Sequence, residues 1–342
     1  MSLFSPRPRW CAPLPLATLF LLLTVVLALC AGRYPLAPAD VLHTLATLAG
    51  LAPAPPRYPL LHAIVVDARL PRLMAAALVG AALSVSGAAY QAVFRNPLVS
   101  PGMLGVLSGA AFGAALAIVL GAHGAWIQLC AFGAGVGAVL LGLAIAAMLQ
   151  QGSIVTLMLG GLISNALFSS LLAMVKYVAD PQNDLPAIVY WLLGSLAQVG
   201  WTDLDRLALP LLLGSALLCA CARVLDTLSL SDDEARSLGV PVGVIRLAII
   251  GLATLVSALT VSLAGMIGWI GLLVPHLARA LVGPSNTRLL PLCALLGAAG
   301  LILADTCARS VSAGEIPLGI ITELFGALAF VLVLRAYRHG GL

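Results

Sequence analysis

Charged side chains concentrate in the stretch LSLSDDEARSLGV, residues 228–240, whereas the chain on either side of it is largely apolar. Ser231 and Glu234, three residues apart, form the pattern of a capping box, in which each side chain accepts a hydrogen bond from the other residue's backbone N–H. Asp232 and Asp233 follow where the positive end of a helix dipole favours anions. The stretch therefore predicts a short helix that begins at Ser231.

This helix is expected to need a surface to lie against. Arg236 falls toward its C-terminal end, and Gly239 is suited to terminate it. A helix this short is not stable alone in water, where roughly 12 to 15 residues are marginal. Its small apolar face comprises Leu228, Leu230, Ala235 and Leu238. The stretch by itself leaves two interpretations open, an ordinary solvated loop helix or a helix that docks a soluble partner.

No spacing in the sequence matches a catalytic or nucleotide-binding motif. The chain has no GxxxxGK[ST] loop, and its single lysine, Lys176, follows no glycine-rich turn, which excludes ATP hydrolysis by that route. The motifs HExxH and GxSxG and paired carboxylates within an apolar segment are missing too, which disfavours an intramembrane enzyme. The seven cysteines lack the spacing of a zinc or iron–sulfur site. We therefore predict no catalytic residue, metal site or cofactor.

Two ionisable residues interrupt apolar segments. His276 follows Pro275, and a lone histidine at a helix start is more often a hydrogen-bonded structural residue than a ligand. Glu323 lies about one and a half turns into the last apolar segment, where an acidic group near a membrane centre costs about 3 kcal/mol. We expect Glu323 to be paired, inward-facing or close to the outer interface, with a place on a substrate path as the alternative.

Composition places the chain in a membrane. Hydrophobic residues make up 61% of the 342 and charged residues 9%, against about 25% charged in a soluble chain. Because each crossing needs about 20 apolar residues, the sequence predicts an all-α integral membrane protein with ten spans in a single domain, residues 1–342. The predicted spans are residues 14–30, 73–94, 102–120, 125–149, 154–178, 207–224, 244–263, 270–282, 290–307 and 318–337. A partial helix is predicted at 188–196 and an outside loop at 33–67.

The basic residues carry topological information. They are scattered between apolar runs, so the net charge of +4 does not indicate a nucleic-acid partner. Ten spans put both termini on one side, and placing them in the cytoplasm gives that side the larger share of arginines. The helix at 231–239 then lies in the cytoplasm. Arg69, Arg72 and Arg309 fall at the outer mouth, as interfacial anchors or as groups that pair with an acidic partner outside.

Five runs of sequence, in order and with matching spacing, resemble one family of membrane proteins. They are RLPRLMAAALVGAALSVSGAAYQAVFRNPLVSPGMLG (69–105), YWLLGSL (190–196), LSDDEARSLGV (230–240), IGWIGLLVPHLAR (267–279) and the stretch from AD to EIPLGIIT (304–322). Together they resemble the FecCD family, the permeases of bacterial type II ABC importers for iron-siderophores, haem and vitamin B12.

The resemblance implies a ten-helix permease of the bacterial inner membrane that dimerises around a translocation path and works by alternating access. Two copies of a separate ABC ATPase would dock from the cytoplasm, and a periplasmic binding protein would deliver substrate from outside. Arg69, Arg72 and Arg309 match positions that offer arginines to that binding protein. The stretch 228–240 matches the family's coupling region, with candidate residues Ser231, Asp232, Asp233, Glu234, Ala235, Arg236, Leu238 and Gly239.

Other motif residues are candidates for the path or its gate. The loop at 150–156 corresponds to the family's gate region, although the small hydroxyl pair of some members is not clearly kept there. In the last helix, Glu323 and Leu328 replace a small or apolar residue and a common proline. The candidate residues are Gln91, Arg95, Asn96, Pro97, Ser153, Pro275, His276 and Glu323.

The resemblance leaves the substrate and the second permease chain open. An iron-siderophore is the predicted cargo, with haem, vitamin B12 and molybdate as alternatives, and ADPQNDLPAIVYW (179–191) looks most like a branch that includes a molybdate permease. The partner permease is a second copy or a paralogue. An ion-coupled secondary transporter is the alternative class, and Glu323 is its only candidate for ion coupling.

Overall fold

A computed structural model describes residues 13–149, 153–312 and 314–338, and all regular secondary structure in these ranges is helical. The α-helices are α1 (Pro13–Cys30), α2 (Pro38–Leu48), α3 (Tyr58–His62), α4 (Leu70–Val93), α5 (Val106–Val119), α6 (Ala125–Met148), α7 (Ile154–Val178), α8 (Asp184–Leu192), α9 (Trp201–Ala220), α10 (Ala222–Leu228), α11 (Asp232–Ser237), α12 (Val242–Ala264), α13 (Ile270–Val282), α14 (Asn286–Val311) and α15 (Leu318–Arg338). A π-helical segment, Ala63–Arg69, joins α3 to α4, and a 3-10 turn, Pro101–Leu104, precedes α5.

Each predicted apolar span coincides with a helix, which confirms the all-α membrane class. Helix length gives a smaller number of crossings than the ten predicted. In the described ranges, six helical stretches are long and apolar enough to cross a membrane, or seven if α9 and α10, which meet at 54°, form one bent span. Three shorter apolar helices, α5, α13 and the apolar part of α15, correspond to the remaining predicted spans. The length criterion therefore does not establish the count of ten.

The prediction of a loop at residues 33–67 is wrong for most of these residues, which are helical, whereas their position outside the membrane stays a prediction. Pro38 and Pro59 each stand in the first turn of a helix, where a missing N–H and a fixed φ favour helix initiation. The π-helical segment then continues without a break into α4, so that residues 58–93 form one helical run of 36 residues. Leu36, Val41 and Val65 bury their side chains in a small core of their own beneath this segment. Prolines that start helices resemble loop prolines in a sequence.

Helix α4 is the centre of the bundle and packs against α9, α12, α13 and α14. Its approach to two neighbours is backbone to backbone. A Cβ atom added at Gly80 would lie 2.2 Å from the carbonyl oxygen of Gly297 in α14, and one added at Gly87 would lie 2.0 Å from that of Gly271 in α13. Small residues permit such contacts where lipid offers no hydrophobic drive for helix association.

Helices α5, α6 and α7 form a second group beside this centre. The partial helix predicted at residues 188–196 corresponds to α8, which spans Asp184–Leu192. The 24 residues of α4 extend about 36 Å and separate two ends of the bundle. We call the end with α11 and the C-terminus of α4 the α11 end. The opposite end, with the C-terminus of α1 and Arg72, is the arginine end.

Candidate functional site

The short helix α11 begins and ends as its sequence predicts. The Ser231 hydroxyl accepts a hydrogen bond from the Glu234 N–H at 3.2 Å, and the Glu234 carboxylate accepts one from the Ser231 N–H at 2.9 Å. Gly239 follows the last turn with φ of +78°, a conformation that residues with a Cβ rarely adopt. The capping box and the glycine stop are therefore both confirmed.

The predicted apolar face of α11 is divided between two surfaces. Leu228 and Ala235 are fully buried, whereas Leu230 and Leu238 are 41% and 65% exposed. The Asp233 and Arg236 side chains point away from the bundle as well. We call Asp233, Arg236 and Leu238 the outer face of α11. This face combines charged groups with an exposed leucine, while the inner side of the helix packs on the bundle.

Asp232 turns inward instead of toward the outer face. The Arg246 guanidinium of α12 donates to both of its carboxylate oxygens, at 2.8 and 3.2 Å. Arg95, just after α4, donates to the same carboxylate and, through Nε, to the Leu228 carbonyl at 2.9 Å. We call Asp232, Arg95 and Arg246 the Asp232 clasp. It joins α11 to two long helices.

Arg95 occupies a backbone position that suits glycine. The Arg95 N–H donates to the Ala92 carbonyl and the Asn96 N–H to the Gln91 carbonyl, which is the Schellman pattern at a helix C-terminus. Arg95 has φ of +49°, in the left-handed region that costs an L-residue roughly 1–2 kcal/mol. The hydrogen bonds that the Arg95 side chain donates to Leu228 and Asp232 offset this cost.

The Asp232 clasp is expected to persist well below neutral pH. Hydrogen bonds from Arg246, and then from Arg95, lower the pKa of Asp232 from 3.8 to about 2. A lowered pKa stabilises the fold above the unfolded value, and that contribution is lost only as pH falls from about 4 toward 2. Amide hydrogen exchange of α11, corrected for the intrinsic rate, should therefore show nearly equal protection at pH 8 and pH 4, where a carboxyl group with the ordinary pKa would already be partly protonated. Clearly greater exchange at pH 4 would contradict this assignment.

At the arginine end, the side chains of Arg69 and Arg309 cap the C-terminus of α1 with hydrogen bonds. Arg69 donates to the carbonyls of Leu29 and Tyr34, and Arg309 donates to those of Ala28 and, at 3.0 Å, Ala31. The last carbonyls of a helix have no intrahelical partner, and basic side chains satisfy them while interacting favourably with the helix dipole. These two guanidiniums thus replace the missing backbone donors of α1.

Arg72 lies between two carboxylates of the same chain. Its Nε donates to both oxygens of Asp305 at 2.8 and 3.0 Å, and its Nη1 donates to Glu315 at 2.9 Å. Arg309 approaches Asp305 at 3.6 Å, and Arg33 approaches Glu315 at 3.8 Å. A cavity of about 230 Å³ is bordered by these side chains together with Arg69: Arg33, Arg69, Arg72, Arg309, Asp305 and Glu315.

The three arginines predicted to meet a binding protein are thus engaged within the chain. Arg69 is 8% exposed, and the side chains of Arg72 and Arg309 are 12% and 11% exposed. Docking to an external acidic group stays a prediction for all three. The sequence indicated an unusual cluster of arginines at this end but not their partners in α1 and α14.

The motif residues after α4 lie at the α11 end. Gln91 is buried, accepts a hydrogen bond from Arg279 and donates to the Leu272 carbonyl at 3.4 Å. The Asn96 side chain accepts from the Leu98 N–H at 2.9 Å and so shapes the turn that contains Pro97. Gln91, Arg95 and Pro97 border a cavity of about 510 Å³.

Ser153, predicted beside the gate, is the N-cap of α7, where its hydroxyl accepts from the Thr156 N–H at 3.2 Å. Residues 150–152 of the predicted gate loop lie outside the described residues. Pro275 and His276 are buried in α13, and the His276 Nδ1 donates to the Leu272 carbonyl at 2.9 Å. This is the environment of a structural histidine.

Glu323 lies on an exposed side of α15, with its side chain beside Gly268. It forms no ion pair with any residue that the structure describes. The same ranges contain no group of three or more histidine, cysteine or acidic residues that could hold a metal ion.

Similarity to known proteins extends over nearly the whole chain. A family model described as the FecCD transport family matches residues 20–336. A molybdate import system permease protein of Haemophilus influenzae is 38% identical over 330 residues, 95% of this chain and 96% of that protein. A vitamin B12 import system permease protein of Escherichia coli O157:H7 is 36% identical over 330 residues, 94% of each chain.

A solved structure agrees with these sequence matches. It is described as an inward-facing conformation of a metal-chelate type ABC transporter, and it matches with a TM-score of 0.84 and 38% identity over 94% of this chain and 98% of that one. The chain therefore belongs to the FecCD transport family and is a membrane permease of an ABC importer, in which ATP hydrolysis takes place in a separate subunit.

Proposed function

We propose that α11 is the element on which the importer's ATPase docks. The observation that carries this proposal is the outer face of α11, where Asp233, Arg236 and Leu238 are exposed on a helix that is capped at both ends. A docking surface needs charged groups for orientation and an apolar group to bury, and this face supplies both.

The α11 end then faces the cytoplasm, and the arginine end faces the periplasm. Both chain termini lie on the cytoplasmic side if every apolar helix that the sequence predicts crosses the membrane. The termini at residues 1–12 and 339–342 lie outside the described residues, so this orientation rests on the arginine distribution and on the proposed role of α11.

A second permease chain, a copy or a paralogue, is proposed to face α7 and α15, with the translocation path between the chains. Glu323 supports this arrangement, because a carboxylate exposed to lipid would cost about 3 kcal/mol and a water-filled path removes that cost. Apolar side chains form most of both faces: Leu159, Leu162, Met174 and Tyr177 on α7, and Leu324, Phe325 and Leu328 on α15.

The arginine end is proposed to receive the binding protein. Arg33 and Glu315 are its more exposed charged groups, with side-chain exposures of 54% and 27%. An external carboxylate that paired with Arg72 would have to compete with Glu315. Arg69 and Arg309 could likewise pair with the binding protein only by giving up their hydrogen bonds to carbonyls at the C-terminal end of α1.

The proposed cargo is a metal-containing compound, a class that includes molybdate and metal chelates. Relatives named for molybdate and vitamin B12 import and a neighbour of metal-chelate type support this class. The iron-siderophore stays the predicted member. Liposomes with the complete importer should accumulate at least one of four tested ligands, labelled molybdate, cobalamin, haem or an iron-siderophore, in an ATP-dependent manner. Accumulation of none of them would contradict the proposed class.

Substituting Leu238 by aspartate tests the docking surface. A charge in place of the exposed leucine should weaken ATPase binding at least about tenfold, because a buried apolar contact is replaced by a desolvated charge. Binding is measured by titrating the purified ATPase onto the permease in nanodiscs. Leu51→Asp is the matched control, since Leu51 is 83% exposed and lies between the C-terminus of α1 and Arg69, which both belong to the arginine end. Equal ATPase affinity in Leu238→Asp and wild type would refute the proposal.

A further inference from the structure

We infer that Asp232 is a positioning residue that fastens α11 to α4 and α12, so that movement of α11 is passed to these two helices. The inference rests on the proposed function of α11 as the ATPase docking element. Two roles, ATPase binding and transmission of movement, then fall to different residues within one helical turn. The outer face of α11 binds the ATPase, while Asp232, on the inner side, transmits the resulting movement.

The position of Asp232 distinguishes it from its neighbour in sequence. The Asp232 side chain is 31% exposed and contacts arginines from two other segments. The Asp233 side chain is 97% exposed, and its one ion-pair partner in the described ranges is Arg236 of the same helix, at 3.9 Å. Helix α11 has six residues and is linked to α10 and α12 by a few residues on each side. Side-chain contacts must therefore determine whether it moves with the bundle or independently of it.

Arg246 makes the connection to α12 difficult to break. Its side chain is 3% exposed, and Asp232 is the one carboxylate that pairs with it in the described ranges. The Arg246 Nε is buried and has no hydrogen-bond partner among the residues that the structure describes. If α11 moved away from α12, a buried cation would lose both of its hydrogen bonds to Asp232, which is strongly unfavourable.

Arg95 makes the connection to α4. Its side chain donates to the end of α10 at the Leu228 carbonyl and to Asp232 at the start of α11. Glycine would suit the left-handed backbone better, so the identity of this side chain is explained by the two contacts that it makes.

A second attachment on the same segment reaches α14. The Asp226 carboxylate of α10 accepts hydrogen bonds from the Asn286 N–H and Nδ2, at 2.7 and 2.8 Å, and from the Ser285 hydroxyl at 3.0 Å. Because α4 and α14 are themselves in backbone contact at Gly80 and Gly297, α10 and α11 are joined to the central helices of the bundle. Asp232 supplies the part of this attachment that lies on α11 itself.

The test compares Asp232→Asn with Asp233→Asn in liposomes that contain the permease and its binding protein, with the ATPase added in increasing amounts. Two quantities are measured: the ATPase concentration for half-maximal hydrolysis, and the maximal stimulation of hydrolysis by loaded binding protein. For Asp232→Asn we expect stimulation to fall about tenfold, a typical coupling between two sites, with little change in the half-maximal concentration. Asp233→Asn should raise the half-maximal concentration and leave the maximal stimulation close to wild type.

Two further variants separate transmission from folding. Arg95→Gly removes the side-chain contacts of Arg95 and provides the residue that its backbone favours, so it should fold and still lose stimulation. Asp232→Glu keeps the charge and should recover most of the stimulation. If Asp232→Asn does not fold, Arg95→Gly decides.

The inference would be overturned if either Asp232→Asn or Arg95→Gly kept full stimulation of ATP hydrolysis by loaded binding protein. It would also be overturned if these variants changed only the ATPase concentration for half-maximal hydrolysis. If the Leu238→Asp permease binds the ATPase as wild type does, the docking role of α11 fails, and the inference fails with it. The two failures are thereby distinguishable, because one appears in stimulation and the other in ATPase binding.

Discussion

Replacing Asp305 by asparagine is expected to destabilise the permease by about 3–5 kcal/mol, because it leaves a buried arginine pair without its shared carboxylate. Asp305 is 4% exposed, receives two hydrogen bonds from Arg72 and lies 3.6 Å from the Arg309 Nε. Within the described part of the chain, that Nε has no hydrogen-bond partner, so its stabilisation depends on the nearby charge. Unfolding of the purified protein in detergent micelles, by heat or by a titrated denaturing detergent, measures the effect.

Glu315→Gln is the matched control, since it removes the other carboxylate that contacts Arg72. Glu315 is 27% exposed, and a partly solvated pair is worth at most about 1 kcal/mol. The double variant Asp305→Asn with Arg72→Gln should be less destabilised than the sum of its single variants, because each removes the same pair. An Asp305→Asn protein as stable as Glu315→Gln would show that the cluster is held by other contacts.

The parts of the site that were predicted correctly depend on residues close in sequence. The capping box of α11 links Ser231 and Glu234, three positions apart, and the glycine stop is equally local. The same kind of local reasoning relates Asp232 to the helix dipole, but its partners, Arg95 and Arg246, are 137 and 14 positions away. The pairing of residues on different helices depends on how the helices pack, which hydropathy does not specify.

The arginine end shows the same limit. Carbonyls without a partner are expected at the C-terminus of any helix, and the sequence indicates a group of three arginines that the structure places at this end. Which of them reaches α1 depends on α1 and α14 being neighbours, a contact between residues about 280 positions apart such as Arg309 and Ala28. The sequence therefore leaves open whether the arginines are interfacial anchors or contacts for a partner, and it does not indicate the contacts within the chain that the structure shows.

Apolar segments predicted helices well because a long, continuously apolar segment can satisfy its own backbone polar groups in lipid only by forming a helix. The sequence did not indicate which glycines bring helices together. Gly133 and Gly137 show the same four-residue spacing as other small pairs, yet a Cβ added at either would meet no other atom within 4 Å. Gly87 and Gly271 are far apart in sequence and lie where α4 and α13 touch.

Gly87→Ala is accordingly expected to cost about 3 kcal/mol, at the upper end of what an overpacked core methyl group costs. The added Cβ would lie 2.0 Å from the carbonyl oxygen of Gly271 and 2.9 Å from its Cα, and both are backbone atoms that cannot rotate away. Helices α4 and α13 would have to separate, which would also disturb the hydrogen bond from Gln91 to the Leu272 carbonyl one turn further along.

The measurement is the fraction of protein that elutes as a monodisperse peak from detergent, together with its thermal unfolding. Gly133→Ala is the matched control, because it makes the same substitution within helix α6 where nothing lies within 4 Å. It should be neutral or slightly stabilising, since alanine is favoured over glycine in a helix by about 1 kcal/mol. If Gly87→Ala behaved like Gly133→Ala, the contact between α4 and α13 would have to be looser than the backbone positions indicate.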